Sequence, residues 1–228
     1  TAAKISLADA GCGMPDAIIT GTGLGSVEDT EKILGEITKE ERFLNPTPFI
    51  QSTYNTISSQ VAIQLKCHNY NSTYVHRTFS FETGLIDGLL QMEEQTASDI
   101  LVGGIDEMTT NHLLITRRIG LWKMTPVHNL KLLEENTPGA LAGEGAAFFV
   151  LGSEKSSSTY AELIDVKTCI NINGSYQPRY ILSDFLAKND LTFYDIDLLL
   201  LGTNGDIKND PIYTQFAENF FPGTAQAW

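Results

Sequence analysis

One short pattern occurs twice and narrows the choice of fold. Asp16-Ala-Ile-Ile-Thr-Gly21-Thr22 is echoed by Asp197-Leu-Leu-Leu-Leu-Gly202-Thr203. Each copy is an apolar run of strand length closed by Gly-Thr. Each follows a helix-like stretch with a polar end, residues 6–11 and 183–189. Helix, turn, apolar strand and Gly-Thr, recurring at so long a spacing, imply two duplicated halves and not a solenoid of short repeats. The halves are expected at 1–155 and 156–228. The second has no counterpart for most of the first, so it reads as incomplete. Its apolar end, Phe220-Phe221-Pro222, reads as a tail that needs a packing surface.

Between the echoes, strands alternate with helices. Residues 2–10 form a helix stopped by Gly11 and Gly13. The run 16–20 is a buried strand entering Gly21-Thr-Gly-Leu-Gly25. A helix follows, with Ser26 as cap and Glu28 and Asp29 in its first turn. Pro46 and Pro48 break the chain. Residues 58–66 and 81–92 are helical in pattern, 73–75 strand-like, and 100–102 and 146–151 buried strands. Gly84 and Gly88 stand one helical turn apart and invite the close approach of another backbone. The class is α/β with a largely parallel sheet.

Composition excludes several functions. The chain has 228 residues, with 15 basic against 28 acidic side chains and a net charge of −13. Such a surface repels phosphate backbones, so nucleic acid is a poor partner. No apolar run reaches the roughly 18–20 residues that span a bilayer. No signal peptide is legible, although the opening residues already read as helix, which leaves room for a lost leader. Cys12, Cys67 and Cys169 form no Cys-x-x-Cys pair, which fits reduced thiols in a cytoplasmic protein. The four histidines show no metal spacing. Gly21-x-Gly-x-Gly25 lacks the third glycine of a dinucleotide turn, because Ser26 stands there. No cofactor is expected.

An ordered set of motifs goes further. It comprises Gly21-Thr-Gly-Leu-Gly25, Asn45-Pro-Thr-Pro-Phe49, Asn55-Thr56, Asp99-Ile-Leu-Val-Gly-Gly-Ile-Asp-Glu107, Gly143-Glu-Gly-Ala-Ala147, and Gly202-Thr203 followed by Asn209-Asp210-Pro211. Together these resemble the β-ketoacyl synthases of the thiolase fold. The resemblance implies a duplicated α-β-α-β-α layered architecture, a dimer, and acyl chains carried on an acyl carrier protein. The family's chains are much longer, which accords with a second half cut short.

That family needs a nucleophilic cysteine at the N-terminus of a buried helix, where the dipole favours a thiolate and backbone N–H groups form an oxyanion hole. Aligning Asp99 and Glu107 with the family's strand and turn puts Phe79 at the cysteine position, and a one-residue slip gives Thr78 or Ser80. Leu201, before Gly202-Thr203, stands where the first catalytic histidine would be. The second histidine position lies beyond Trp228. The resemblance therefore narrows to chain-length-factor-like subunits, the non-catalytic partners of ketosynthases. Phe79 departs from the polar residue expected there. It is either a plug facing a tunnel or plain core. Thr73, Tyr74 and Val75 match the family's dimer strand, with an interior strand as the alternative. His76 and Arg77 are contacts at that interface or a solvated pair. Glu144 reads as part of a structural turn.

Three functions compete: a non-catalytic subunit paired with a catalytic ketosynthase subunit or with itself; an active acyltransferase with an unusual nucleophile such as Ser80 or a misaligned cysteine; and a binding or scaffold protein. Carrier protein is acidic, and only Arg117, Arg118 and Lys123 form a basic cluster, so docking falls mainly to the partner subunit.

Overall fold

The computed structural model describes residues 1–39, 44–170 and 178–227. They form two compact units. The first comprises Thr1–Thr109 with Gly143–Thr168, and the second Thr110–Ala142 with Cys169–Trp228.

The first unit is built on two apolar runs, β1 (Ala17–Thr22) and β3 (Asp99–Asp106). Ile18, Ile19, Ile100, Leu101 and Val102 are wholly buried, each contributing roughly 1.5–3 kcal/mol by removal from water. Runs apolar on both faces suit interior strands covered on two sides. Alternation divides them. Ile18 and Leu101 pack with Ala3, Leu7 and Cys67 on one face, and Ile19, Ile100 and Val102 with Ala17 and Ala97 on the other. The first face is covered by α1 (Ala2–Asp9) and α4 (Thr56–Leu65), the second by α5 (Ser80–Glu93). The unit is thus an α-β-α stack. Sheet order is β2 (Tyr70–Val75), β1, β3, β4 (Gly145–Gly152). β1 runs parallel to β2 and β3, while β4 is antiparallel to β3.

Several sequence expectations need correction. β4 is not buried: it lies at the sheet edge, and Phe149 is 53 % exposed. Pro46 and Pro48 start a helix, α3 (Pro46–Gln51), because proline suits the first turn and the Asn45 side chain accepts the Thr47 N–H at 3.0 Å. Gly84 and Gly88 meet side chains of the sheet, Ile19 at 3.1 Å and Leu151 at 3.3 Å from an added Cβ, and not another backbone. Ser26 does not cap α2 (Val27–Lys39) through its hydroxyl, which donates to the Asp29 carboxylate at 3.3 Å.

The second unit holds α6 (Thr110–Arg118), α7 (Pro178–Lys188), a short parallel pair of β5 (Leu198–Leu200) with β6 (Ala225–Ala227), and α8 (Asp210–Phe220). Two further expectations change here. Phe221 is buried and packs in tilted contacts, ring centroids 5.4 Å from Phe193 and 6.0 Å from Phe216, so the apolar end has its surface within this unit. Lys123 is only 6 % exposed. Its three N–H donors reach Thr137 O at 3.0 Å, Thr137 Oγ1 at 2.8 Å and Gly205 O at 2.7 Å. A buried ammonium survives only with such satisfaction, and the surface basic cluster shrinks to Arg117 and Arg118. No helix among the described residues is long and apolar enough to cross a membrane.

Candidate functional site

The β2-to-α5 connection carries the position of interest. β2 ends at Val75, and Phe79 is the N-cap of α5, at φ −125° and ψ 26°. A good N-cap presents a side-chain oxygen to the first N–H groups of its helix. Phe79 has none, and no side-chain cap bond forms. Its carbonyl instead takes the Thr83 N–H at 2.9 Å and the Thr83 hydroxyl at 2.6 Å.

The turn itself is held from behind. His76 Nδ1 accepts the N–H of Thr78 at 3.1 Å and that of Phe79 at 3.0 Å. The two rings stack, with centroids 5.5 Å apart and planes 10° off parallel. Phe79 is half-buried. Ser80 opens α5, and among the described residues no base hydrogen-bonds its hydroxyl.

The start of α5 reaches β1 because of Gly21. A Cβ there would lie 2.6 Å from both the Phe81 nitrogen and the Ser80 carbonyl carbon. Phe81 then points into the core, 6.0 Å from Phe149.

The loop after β1 is clamped by one carboxylate. Asp106 Oδ1 accepts from Thr22 Oγ1 at 2.9 Å, Gly23 N at 2.9 Å and Leu24 N at 3.3 Å. Glu107 Oε1 accepts the Glu28 N–H at 2.7 Å and so caps α2 from outside the helix. Glu144 Oε2 accepts the Met108 N–H at 3.1 Å. Each of these acids holds a loop through one carboxylate oxygen. The Asp106 and Glu107 roles escaped sequence reading, because their partners lie about eighty positions away.

Thr73, Tyr74 and Val75 lie on β2, the edge strand beside β1. Thr73 Oγ1 is bonded to Thr20 at 3.0 Å and Ser58 at 2.8 Å, so it faces inward. Burial, reinforced by the charge of Asp87, pushes the Tyr74 hydroxyl up to about 12. Val75 is 42 % exposed.

In the second unit, Leu201 follows β5 and donates its N–H to Ala227 O at 2.8 Å. The neighbouring Thr203 hydroxyl is buried and has no hydrogen-bond partner among the described residues. Asp210 takes the N–H groups of Asn204 at 3.0 Å and Gly205 at 2.8 Å. The N–H of Lys208 holds the Asp206 carboxyl below its ordinary range. A shallow cleft of about 340 Å³ is lined by Leu133, Glu135, Gly205, Asp210 and Thr214 among others, but by neither Leu201 nor Thr203. Phe79 belongs to the first unit and Leu201 to the second.

No protein-family model matches the chain, and no curated protein matches it. Solved structures do. The AntDE ketosynthase with the type II PKS acyl-carrier protein AntF, bound to the hexaketide, matches at TM-score 0.71 and 15 % identity, over 97 % of this chain and 61 % of that one. A β-ketoacyl synthase from Burkholderia phymatum STM815 matches at 0.68 and 16 %, over 97 % and 59 %. The ishigamide ketosynthase/chain length factor matches at 0.66 and 15 %, over 92 % and 56 %. The chain therefore has the mixed α/β, thiolase-like fold of these ketosynthases and spans about three-fifths of their length.

Proposed function

We propose that this chain is a ketosynthase-like protein of fatty acid or polyketide-type biosynthesis that does not itself catalyse condensation and acts as a chain-length-factor-like subunit. The observation that supports this reading is Phe79 at the cap of α5, the position that the ordered motifs align with the family's cysteine. A phenyl ring cannot be acylated. Leu201, at the first histidine position, has no group to hydrogen-bond a thioester carbonyl. Phe79 would then fill the pocket of the acyl chain.

The partner is a Cys-containing ketosynthase subunit, or a second copy of this chain, in a cytoplasmic pair. β2 supports this, because it lies at a sheet edge where a strand of another chain can add. Thr73, Tyr74 and Val75 are the proposed dimer strand. Carrier protein docks mainly on the partner, since burial of Lys123 leaves little basic surface for an acidic protein. The repeat is an evolutionary division at 155/156. Its support is local: the loop after each Gly-Thr has its N–H groups taken by a carboxylate, Asp106 in one and Asp210 in the other.

The test is turnover. Release of carbon dioxide from a malonyl carrier protein would be followed for this chain, a Cys-containing partner, and the mixture. The proposal expects none from this chain alone and more from the pair than from the partner alone. Sustained turnover by this chain alone would refute it.

A further inference from the structure

We propose that His76 is an internal latch on the turn at position 79: its imidazole occupies the Phe79 N–H that an acyl oxyanion would use and holds the Phe79 ring against it. The inference rests on the reading of position 79 given above. Two independent contacts carry it. Nδ1 lies 3.1 Å from Thr78 N and 3.0 Å from Phe79 N. Both nitrogens are donors, so Nδ1 presents its lone pair and the neutral ring carries its proton on Nε2. Separately, the imidazole lies flat on the Phe79 ring at 5.5 Å.

The chemistry follows from general rules. An N–H at the start of a helix stabilises negative charge on a ligand oxygen. Here the N–H of residue 79 already donates to a neutral nitrogen of the same chain. Nδ1 stands as many bonds from Cα as an asparagine Oδ1 does. Its reach to the residues two and three positions on therefore reproduces the local capping turn that asparagine makes. The site is closed twice, by the missing thiol and by the occupied donor. Restoring the thiol alone would leave it slow.

The test compares three variants of this chain: Phe79→Cys, Phe79→Cys with His76→Ala, and Phe79→Cys with His76→Asn. Each is treated with an acyl N-acetylcysteamine thioester and, separately, with iodoacetamide, and adducts are counted by intact mass. In the thioester reaction the introduced thiolate attacks the carbonyl carbon and a new C–S bond forms. The tetrahedral oxyanion then collapses, and N-acetylcysteamine leaves as its thiolate and takes a proton from water. The ratio of acylation to alkylation cancels differences in thiolate reactivity. His76→Ala should raise that ratio about 10²-fold, the usual worth of one oxyanion donor. His76→Asn, which keeps the acceptor, should leave it within a few-fold of Phe79→Cys alone. Equal ratios in all three would overturn the latch. An acyl adduct on the unsubstituted chain would instead overturn the reading of position 79. A second measurement needs no cysteine. Amide exchange at Phe79 should be slow in the unsubstituted chain, faster in His76→Ala and slow again in His76→Asn. Fast exchange in the unsubstituted chain would also overturn the latch.

Discussion

A Cβ at position 21 would stand 2.6 Å from the backbone of Ser80 and Phe81, so Gly21→Ala must push the start of α5 off β1. Overpacking of this kind costs about 1–3 kcal/mol. A fall in the urea midpoint with an unchanged slope would record it, and an unaltered midpoint would show that the contact yields freely. Asp16 makes a second prediction. Its carboxylate accepts the N–H groups of Ser98 at 2.9 Å and Asp99 at 3.0 Å, and these bonds, Asp99 foremost, hold its pKa below the ordinary value. A lowered folded pKa stabilises fully above the unfolded value of about 3.9 and is lost as pH falls through the folded value. Asp16→Asn should therefore lower Tm at pH 7, and the gap should begin to narrow only below about pH 4 and close as pH falls through the lower folded value. A gap that is the same at both ends would exclude the linkage. His76 shows the limit of reading at this scale: its spacing to residues 78 and 79 is visible in the chain, but its use as an acceptor depends on the turn that forms between them.

Elements differed in how plainly they announced themselves. β1, β3 and α5 were legible because each carries its burial in its own pattern, as continuous apolar runs or a helical stripe. β4 misled for the same reason: Phe148, Phe149 and Val150 read as core, yet an edge position leaves Phe149 half in solvent. α3 was missed because proline both ends and begins helices, and only the Asn45 cap decides which. The cap of α2 comes from Glu107, on the segment after β3. Glu107→Ala should cost about 1 kcal/mol and speed amide exchange at Glu28. Unchanged exchange there would mean the bond contributes nothing. β2 is the element the proposed pairing depends on. Val75→Lys places a charge on an exposed edge. It should weaken self-association or partner capture by light scattering while leaving Tm nearly as it was; intact association would place the interface elsewhere.

For the whole molecule, the paired Gly-Thr strands and the ordered motifs were enough to reach the fold that the ketosynthase structures share, at only 15–16 % identity. The pattern survives such divergence because glycines, buried runs and loop-holding acids are set by packing, which the chemistry at position 79 does not touch. Under the proposed reading of position 79, the same separation lets the chain keep the architecture without the cysteine. What the motifs did not convey was the interior of the second unit, where Lys123 is enclosed by three oxygens brought from two distant segments. Intact-protein mass spectrometry after incubation with an acyl-carrier-protein thioester, with and without a Cys-containing partner, tests the central claim most directly. An unshifted mass for this chain in both mixtures, with the acyl group on the partner alone, is the predicted result. A stoichiometric acyl adduct on this chain would contradict it and make the chain an acyltransferase in its own right.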